Sequence, residues 1–190
     1  MNARVGTDTT IQLSVPPQAL AEQYGHARYV VIPGLLPAAS VSTLLAHTAD
    51  TVVERSNCRN ANTFGEQSFE VTHPVAEFFM RAEMLQLAQI LLGSAQICRV
   101  TCWSLVYAPG EFINPHKDAA GALQALICLR APKGRQNGGE LIVDGQPFFL
   151  TPGDAIIFEA TSLEHHTTPL VETADDPSPG RTVIVGRYFI

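Results

Sequence analysis

The chain has 190 residues, enough for one domain with a sizeable core. At 46% hydrophobic and 16% charged residues it is too apolar to be disordered, and a net charge of −6 provides no basic face for a nucleic-acid backbone. No apolar run approaches the ~18 residues of a membrane span. The start "MNARVGTDTTIQLS" also lacks the charged-then-apolar order of a secretory signal, so a cytoplasmic protein is expected.

In chain order, "SVPPQALAEQYGH" offers Ser14 as a helix cap ahead of two prolines, and "RYVVIPGLL" reads as a short buried strand. "PAASVSTLLAHTADTVVE" carries Val41, Leu44, Leu45, Thr48 and Val52 at helical spacing. "HPVAEFFMRAEMLQLAQILLG" predicts a further helix, with Pro74 near its start and Gly93 just past its end. Between these two, "RSNCRNANTFGEQSF" reads as a long polar loop.

From about residue 95 the pattern changes to short β-rich runs separated by turn signals, from "ICRVTCWSLVY" through "EFINPHKD" to "RTVIVGRYFI". Seven or eight such strands predict an antiparallel jelly roll. The fold class expected is therefore mainly β with flanking α-helices. It would be a single domain over 1–190, in which 1–94 is a mostly helical flank with an early strand and 95–190 is the jelly-roll core. The four cysteines, Cys58, Cys98, Cys102 and Cys128, show no C-x-x-C spacing and read as buried free thiols. The clusters Arg55/Arg59 and Arg130/Lys133/Arg135 read as solvated loop charges.

Three stretches carry chemistry. In "INPHKDAAG", His116 and Asp118 are two apart, so on a strand both would face one side. In a barrel interior an unpaired carboxylate is costly, and a cation resolves that cost; a loop histidine beside a solvated aspartate is the competing reading. Downstream, "SLEHHTTPLV" supplies His165 or His166 from a distant strand. Two histidines and a carboxylate make the facial set of non-haem Fe(II) oxygenases. Finally, in "PSPGRTVIVGRYFI", Arg181 and Arg187 share one side of the last strand. A buried arginine there needs an anionic partner, either a ligand carboxylate or one from the protein.

Together these residues resemble the 2-oxoglutarate/Fe(II)-dependent dioxygenases of the double-stranded β-helix type, in particular the prolyl-hydroxylase and phytanoyl-like branches. "YAPGEFINPHKD" is similar to that family's tyrosine, Pro-Gly turn and H-x-D segment. "NGGELIVDG" resembles its GGEL strand, and "TPGDAIIFEATSLEHHTTPL" its GD…F…H segment. The resemblance implies His116, Asp118 and His165 as iron ligands and catalytic residues. It implies Arg181 as the clamp on the distal carboxylate of 2-oxoglutarate, and Tyr107 as a donor to the same group. His165 is preferred to His166 because it stands four residues before Pro169. Arg181 follows His165 by sixteen residues, more than is usual, with "VETADDPSPG" between, so Arg187 remains the alternative clamp.

The cofactors implied are Fe(II) and 2-oxoglutarate, with O2 as co-substrate. Halogenase members lack the carboxylate that Asp118 provides, so hydroxylation or a related oxidation is expected. The implied reaction oxidises an aliphatic C–H bond of a small polar metabolite, such as a free or modified amino acid, releasing succinate and CO2. A cupin-like metal enzyme acting without 2-oxoglutarate and a non-catalytic barrel are the alternatives. Asn57, Arg59, Asn60, Asn62 and Gln67 would form a polar lid, "DAAGALQ" would leave room for substrate, and Trp103 would be core.

Overall fold

The computed structural model describes residues 9–49, 54–58 and 62–190. Helix α1 (Pro17–Ala27) leads into strand β1 (Tyr29–Ile32), and helix α2 (Ala38–Ala49) into strands β2 (Glu54–Cys58) and β3 (Asn62–Ser68). Helices α3 (Pro74–Phe79) and α4 (Ala82–Leu91) follow. The remaining strands are β4 (Arg99–Tyr107), β5 (Leu123–Arg130), β6 (Leu141–Val143), β7 (Gln146–Phe148), β8 (Ala155–Phe158), β9 (His165–Thr167) and β10 (Arg181–Phe189).

Seven strands form one sheet in the order β1-β8-β5-β10-β4-β3-β2, and three form a smaller one, β7-β6-β9. Every strand pairing among the described residues is antiparallel. Period-two alternation along the central strands sorts side chains between two cores. On β5, Leu123, Ala125, Ile127 and Leu129 meet the helices, whereas Leu126 and Cys128 face the small sheet. β10 divides in the same way, with Ile184 and Tyr188 under the helices and Val183 and Val185 between the sheets. Such two-sided burial gives near-continuous apolar strands, as "LQALICL" shows.

The helices bury their stripes on the other face of the large sheet. Met84, Leu87, Ala88 and Leu91 of α4 recur at i, i+3, i+4 and i+7. Gly186 lets α3 approach closely: a Cβ there would lie 2.3 Å from Phe79 Cδ1, an overpacking that costs about 1–3 kcal/mol. Tyr188 Oη donates to the Phe79 carbonyl, which satisfies one acceptor at the end of α3.

Five local expectations change. The cap position of α1 is Pro16, which makes no side-chain bond, rather than Ser14. The helix expected after Pro74 is two helices, because Arg81 is extended (ψ 151°) and starts α4 afresh. Within the polar stretch, β2 and β3 pair antiparallel and β3 also pairs with β4, so the 1–94 segment contributes three strands to the large sheet. Loop-like composition yields there to hydrogen bonds offered by a neighbouring strand. "EFINPHKD" is irregular, with His116 joined to His165 by an isolated bridge. Cys102 and Cys128 are buried free thiols as expected, but Cys98 is exposed. Val52, Arg59 and Asn60 lie outside the described residues, as do the side chains of Arg55, Asn57, Cys58 and Asn62. Among the described residues no helix is long and apolar enough to cross a membrane.

Candidate active site

Between the two sheets lies a cavity of about 580 Å³, and His116, Asp118 and His165 meet on its wall. The backbone brings them together. His116 N donates to His165 O (3.1 Å), His165 N returns the bond to His116 O (2.9 Å), and Asp118 N is held by Ala160 O (2.9 Å). Each histidine turns Nδ1 to a backbone carbonyl, Asn114 O at 2.8 Å for His116 and Leu163 O at 3.1 Å for His165. A carbonyl only accepts, so Nδ1 carries the proton and each Nε2 presents a lone pair to the cavity. His116 Nε2 lies 3.9 Å from Asp118 Oδ1, and His165 Nε2 lies 3.9 Å from Asp118 Oδ2.

The three ligand atoms all lie within 4.8 Å of one another. Two imidazole nitrogens and a carboxylate oxygen gathered this closely would suit a single divalent cation. Burial holds the His165 ring below its ordinary pKa, and the neighbouring His116 adds to this, while Asp118 opposes it. The neutral, ligating form is therefore favoured. His166, the next residue on β9, also lines the cavity but falls outside this cluster.

Arg187 forms an ion pair with Asp118 Oδ2, and Oδ1 is the carboxylate oxygen that faces His116 Nε2. The guanidinium also donates to Gln124 Oε1 from Nε (3.1 Å) and Nη2 (2.7 Å), and stands 4.8 Å over the Trp103 ring. Gly121 makes room for this: a Cβ there would fall 2.6 Å from Arg187 Cγ. The small residues after Asp118 thus accommodate Arg187, and Ala119 and Ala120 are exposed.

Arg181 stands opposite Tyr107 in the β10–β4 register and is only 3% exposed. Its guanidinium carbon lies 5.1 Å from the Tyr107 ring centre. Neither Nη1 nor Nη2 makes a well-aligned hydrogen bond, and the Tyr107 hydroxyl, with Arg181 and Thr167 as its polar neighbours, is not well aligned with either. Burial pushes that hydroxyl up to about 12, against the opposing pull of Arg181. Two buried donors without acceptors carry a desolvation cost, and because the guanidinium is charged an anionic acceptor offsets it best.

The longer connection before Arg181 has a physical explanation. Asn137 Nδ2 donates to Val171 O (2.9 Å) and Thr173 Oγ1 (3.0 Å), and Lys133 N donates to Asp176 Oδ2 (3.0 Å). These bonds fold the extra length onto residues 133–137 and return Arg181 to register with Tyr107.

Glu66, Phe64, Trp103 and Gln124 also line the cavity. Trp103 is therefore a cavity residue rather than core alone. Glu66 and Phe64 escape sequence reasoning because "NTFGEQS" looks like a loop; period-two alternation of Phe64 and Glu66 is the signal that could have found them. Gln67 points the other way and buries its Oε1 without a partner.

Solved structures share this architecture. A prolyl-4-hydroxylase from Pseudomonas putida is 19% identical with a TM-score of 0.74, over 92% of this chain and 98% of that one. A 2OG-Fe(II) oxygenase family oxidoreductase from Burkholderia pseudomallei is 18% identical at TM-score 0.74, over 93% and 92%. The non-heme alpha ketoglutarate dependent epimerase SnoN of nogalamycin biosynthesis is 19% identical at TM-score 0.70, over 92% and 85%. No protein-family model and no curated protein matches the sequence. The chain thus has the double-stranded β-helix fold of the 2-oxoglutarate/Fe(II) oxygenases.

Proposed function

We propose that the chain is an Fe(II)- and 2-oxoglutarate-dependent oxygenase that hydroxylates, or otherwise oxidises, an aliphatic C–H bond of a small polar metabolite. The observation that carries this reading is the buried Arg181 guanidinium, whose Nη1 and Nη2 have no aligned acceptor, beside Tyr107, which lines the same cavity as a His-Asp-His cluster. The donor set suits the cofactors chemically, with two imidazoles and one carboxylate for Fe(II) and a forked cation with a phenol for a carboxylate. SnoN has itself been solved with Fe3+ and alpha ketoglutarate.

In this reading His116, Asp118 and His165 hold the metal. His165 is favoured over His166 by its 3.9 Å approach to Asp118 and its Nδ1 bond to Leu163 O. Arg181 and Tyr107 hold the distal carboxylate, and Arg187 is disfavoured as the clamp because Asp118 and Gln124 already engage it. When bound, Fe(II) with 2-oxoglutarate supplies the oxidising chemistry, activating O2 and releasing succinate and CO2.

The protein orients and shields. Asn114 O and Leu163 O fix the histidine tautomers, Arg187 steadies Asp118, and Leu105, Leu126 and Leu141 keep the inner cavity apolar. Asp118 occupies a position that a halide would need, which favours hydroxylation or a related oxidation over halogenation. The free cysteines fit a reducing, cytoplasmic compartment. Anaerobic addition of Fe(II) and 2-oxoglutarate should produce the weak visible charge-transfer band of the chelate. A folded chain showing no such band, or an undiminished band in Asp118→Ala, would overturn the reading.

A further inference from the structure

Beyond the His-Asp-His cluster the cavity also has Phe64, Glu66, Trp103, Gln124 and Arg187 on its wall. Under the oxygenase reading, a substrate stands on this side. Most polar groups here are already engaged. Arg187 is committed to Asp118 and Gln124 with its plane over Trp103, and Gln124 Oε1 accepts both Arg187 bonds.

Glu66 differs from these. It faces the cavity from β3, opposite Leu105 in the β3–β4 register. No ion pair or hydrogen bond holds its carboxylate among the described residues. Burial raises its pKa, and the Arg187 charge only partly opposes this. A half-buried carboxylate in a cavity walled partly by aromatic rings is costly until a cation reaches it, and Trp103 already carries one cation, Arg187, over its ring.

We infer that this part of the cavity receives a cationic group of a small substrate, an ammonium or guanidinium, with Glu66 as its counter-ion and Trp103 and Phe64 beside it. The inference rests on the oxygenase reading for its place in a reaction, but not for the binding itself. It narrows the substrate class to small amines and excludes neutral or purely anionic metabolites.

Trp103 is the single tryptophan of the chain, so its fluorescence reports on this part of the cavity. The test titrates the full chain, without metal or 2-oxoglutarate, with n-butylammonium and with n-butanol, which match in shape and differ in charge. The ammonium should bind at least about tenfold more tightly, as expected for a hydrogen bond between charged groups. Glu66→Gln should bring it to the level of the alcohol, while Glu66→Asp should keep a preference. Equal or tighter binding of the alcohol by the native chain overturns the inference, and so does a preference that survives in Glu66→Gln. If that variant fails to fold, the native comparison and Glu66→Asp decide.

Succinate formation from 2-oxoglutarate, measured on the same preparations, separates the two readings. Intact formation without amine preference sinks the cation site alone. Amine preference in a chain that binds neither Fe(II) nor 2-oxoglutarate supports the cation site and removes the oxygenase.

Discussion

Arg181 and Arg187 stand six residues apart on one strand, Arg187 on the cavity wall and Arg181 beside the wall residue Tyr107, yet their surroundings are opposite. Arg187 is half-buried and engaged by a carboxylate, an amide oxygen and an indole. Arg181 is buried against Tyr107 and has two donors without an aligned acceptor. The same side chain is therefore a finished structural part at one end of β10 and an unsatisfied receptor at the other. Pairing, not residue type, separates the roles, because a guanidinium already neutralised has little to offer a ligand.

The largest expected effect breaks the receptor end. Arg181→Met should lower 2-oxoglutarate affinity by about 100-fold or more, since two charge-assisted bonds are lost; calorimetric titration of the metal-loaded chain checks this. The ligand-free variant should nevertheless be more stable in urea, by about 1 kcal/mol. Removing an unpaired buried charge gains more than the cation–π contact with Tyr107 loses. If both arginines were clamps, Arg187→Met would show the same loss.

Instead, Arg187→Met should leave 2-oxoglutarate affinity nearly unchanged and weaken metal binding by about 10–100-fold, as removal of a ligand's outer partner does. Competition of Fe(II) against a chelator measures it.

The smallest effect lies on the helical face and acts as a control for acid sensitivity. His73 caps α3 by accepting from Val75 N (3.2 Å), and stacks on Phe69 with ring centres 4.0 Å apart. Burial, with His47 nearby, lowers its pKa from the ordinary 6.5. Because the folded value is the lower one, the unfolded chain takes up the proton first. Stability should then fall as pH drops through about 6.5 toward the folded value, and level off below that. Partial exposure keeps the loss below about 1 kcal/mol. His73→Asn, which preserves a capping acceptor, should flatten the slope in urea titrations without touching metal affinity.

Much of the fold was legible because strand periodicity is local. "LQALICL" and "RTVIVGRYFI" announce β5 and β10, and the spacing of His116, Asp118 and His165 points to residues that do converge. The β2–β3 pair was not legible. Its Asn- and Gly-rich composition speaks for a loop, whereas Asn62–Ser68 is paired with β2 over Asn62–Glu66 and, over Gly65–Ser68, with β4 more than thirty residues on. Trp103 read as core for a similar reason: an aromatic on a strand could serve either face until the cavity beside it exists. Gly121 looked like free space and turned out to be the seat of Arg187.

By itself the sequence determined the jelly-roll strands, the H-x-D pair and the shared face of the two arginines, all consequences of side-chain alternation within a few residues. Only the tertiary structure decided which arginine is paired, how residues 171–180 return Arg181 to Tyr107, and that Glu66 looks into the cavity. Each of these depends on register between distant strands. A shift of one residue there would turn every side chain to the opposite face.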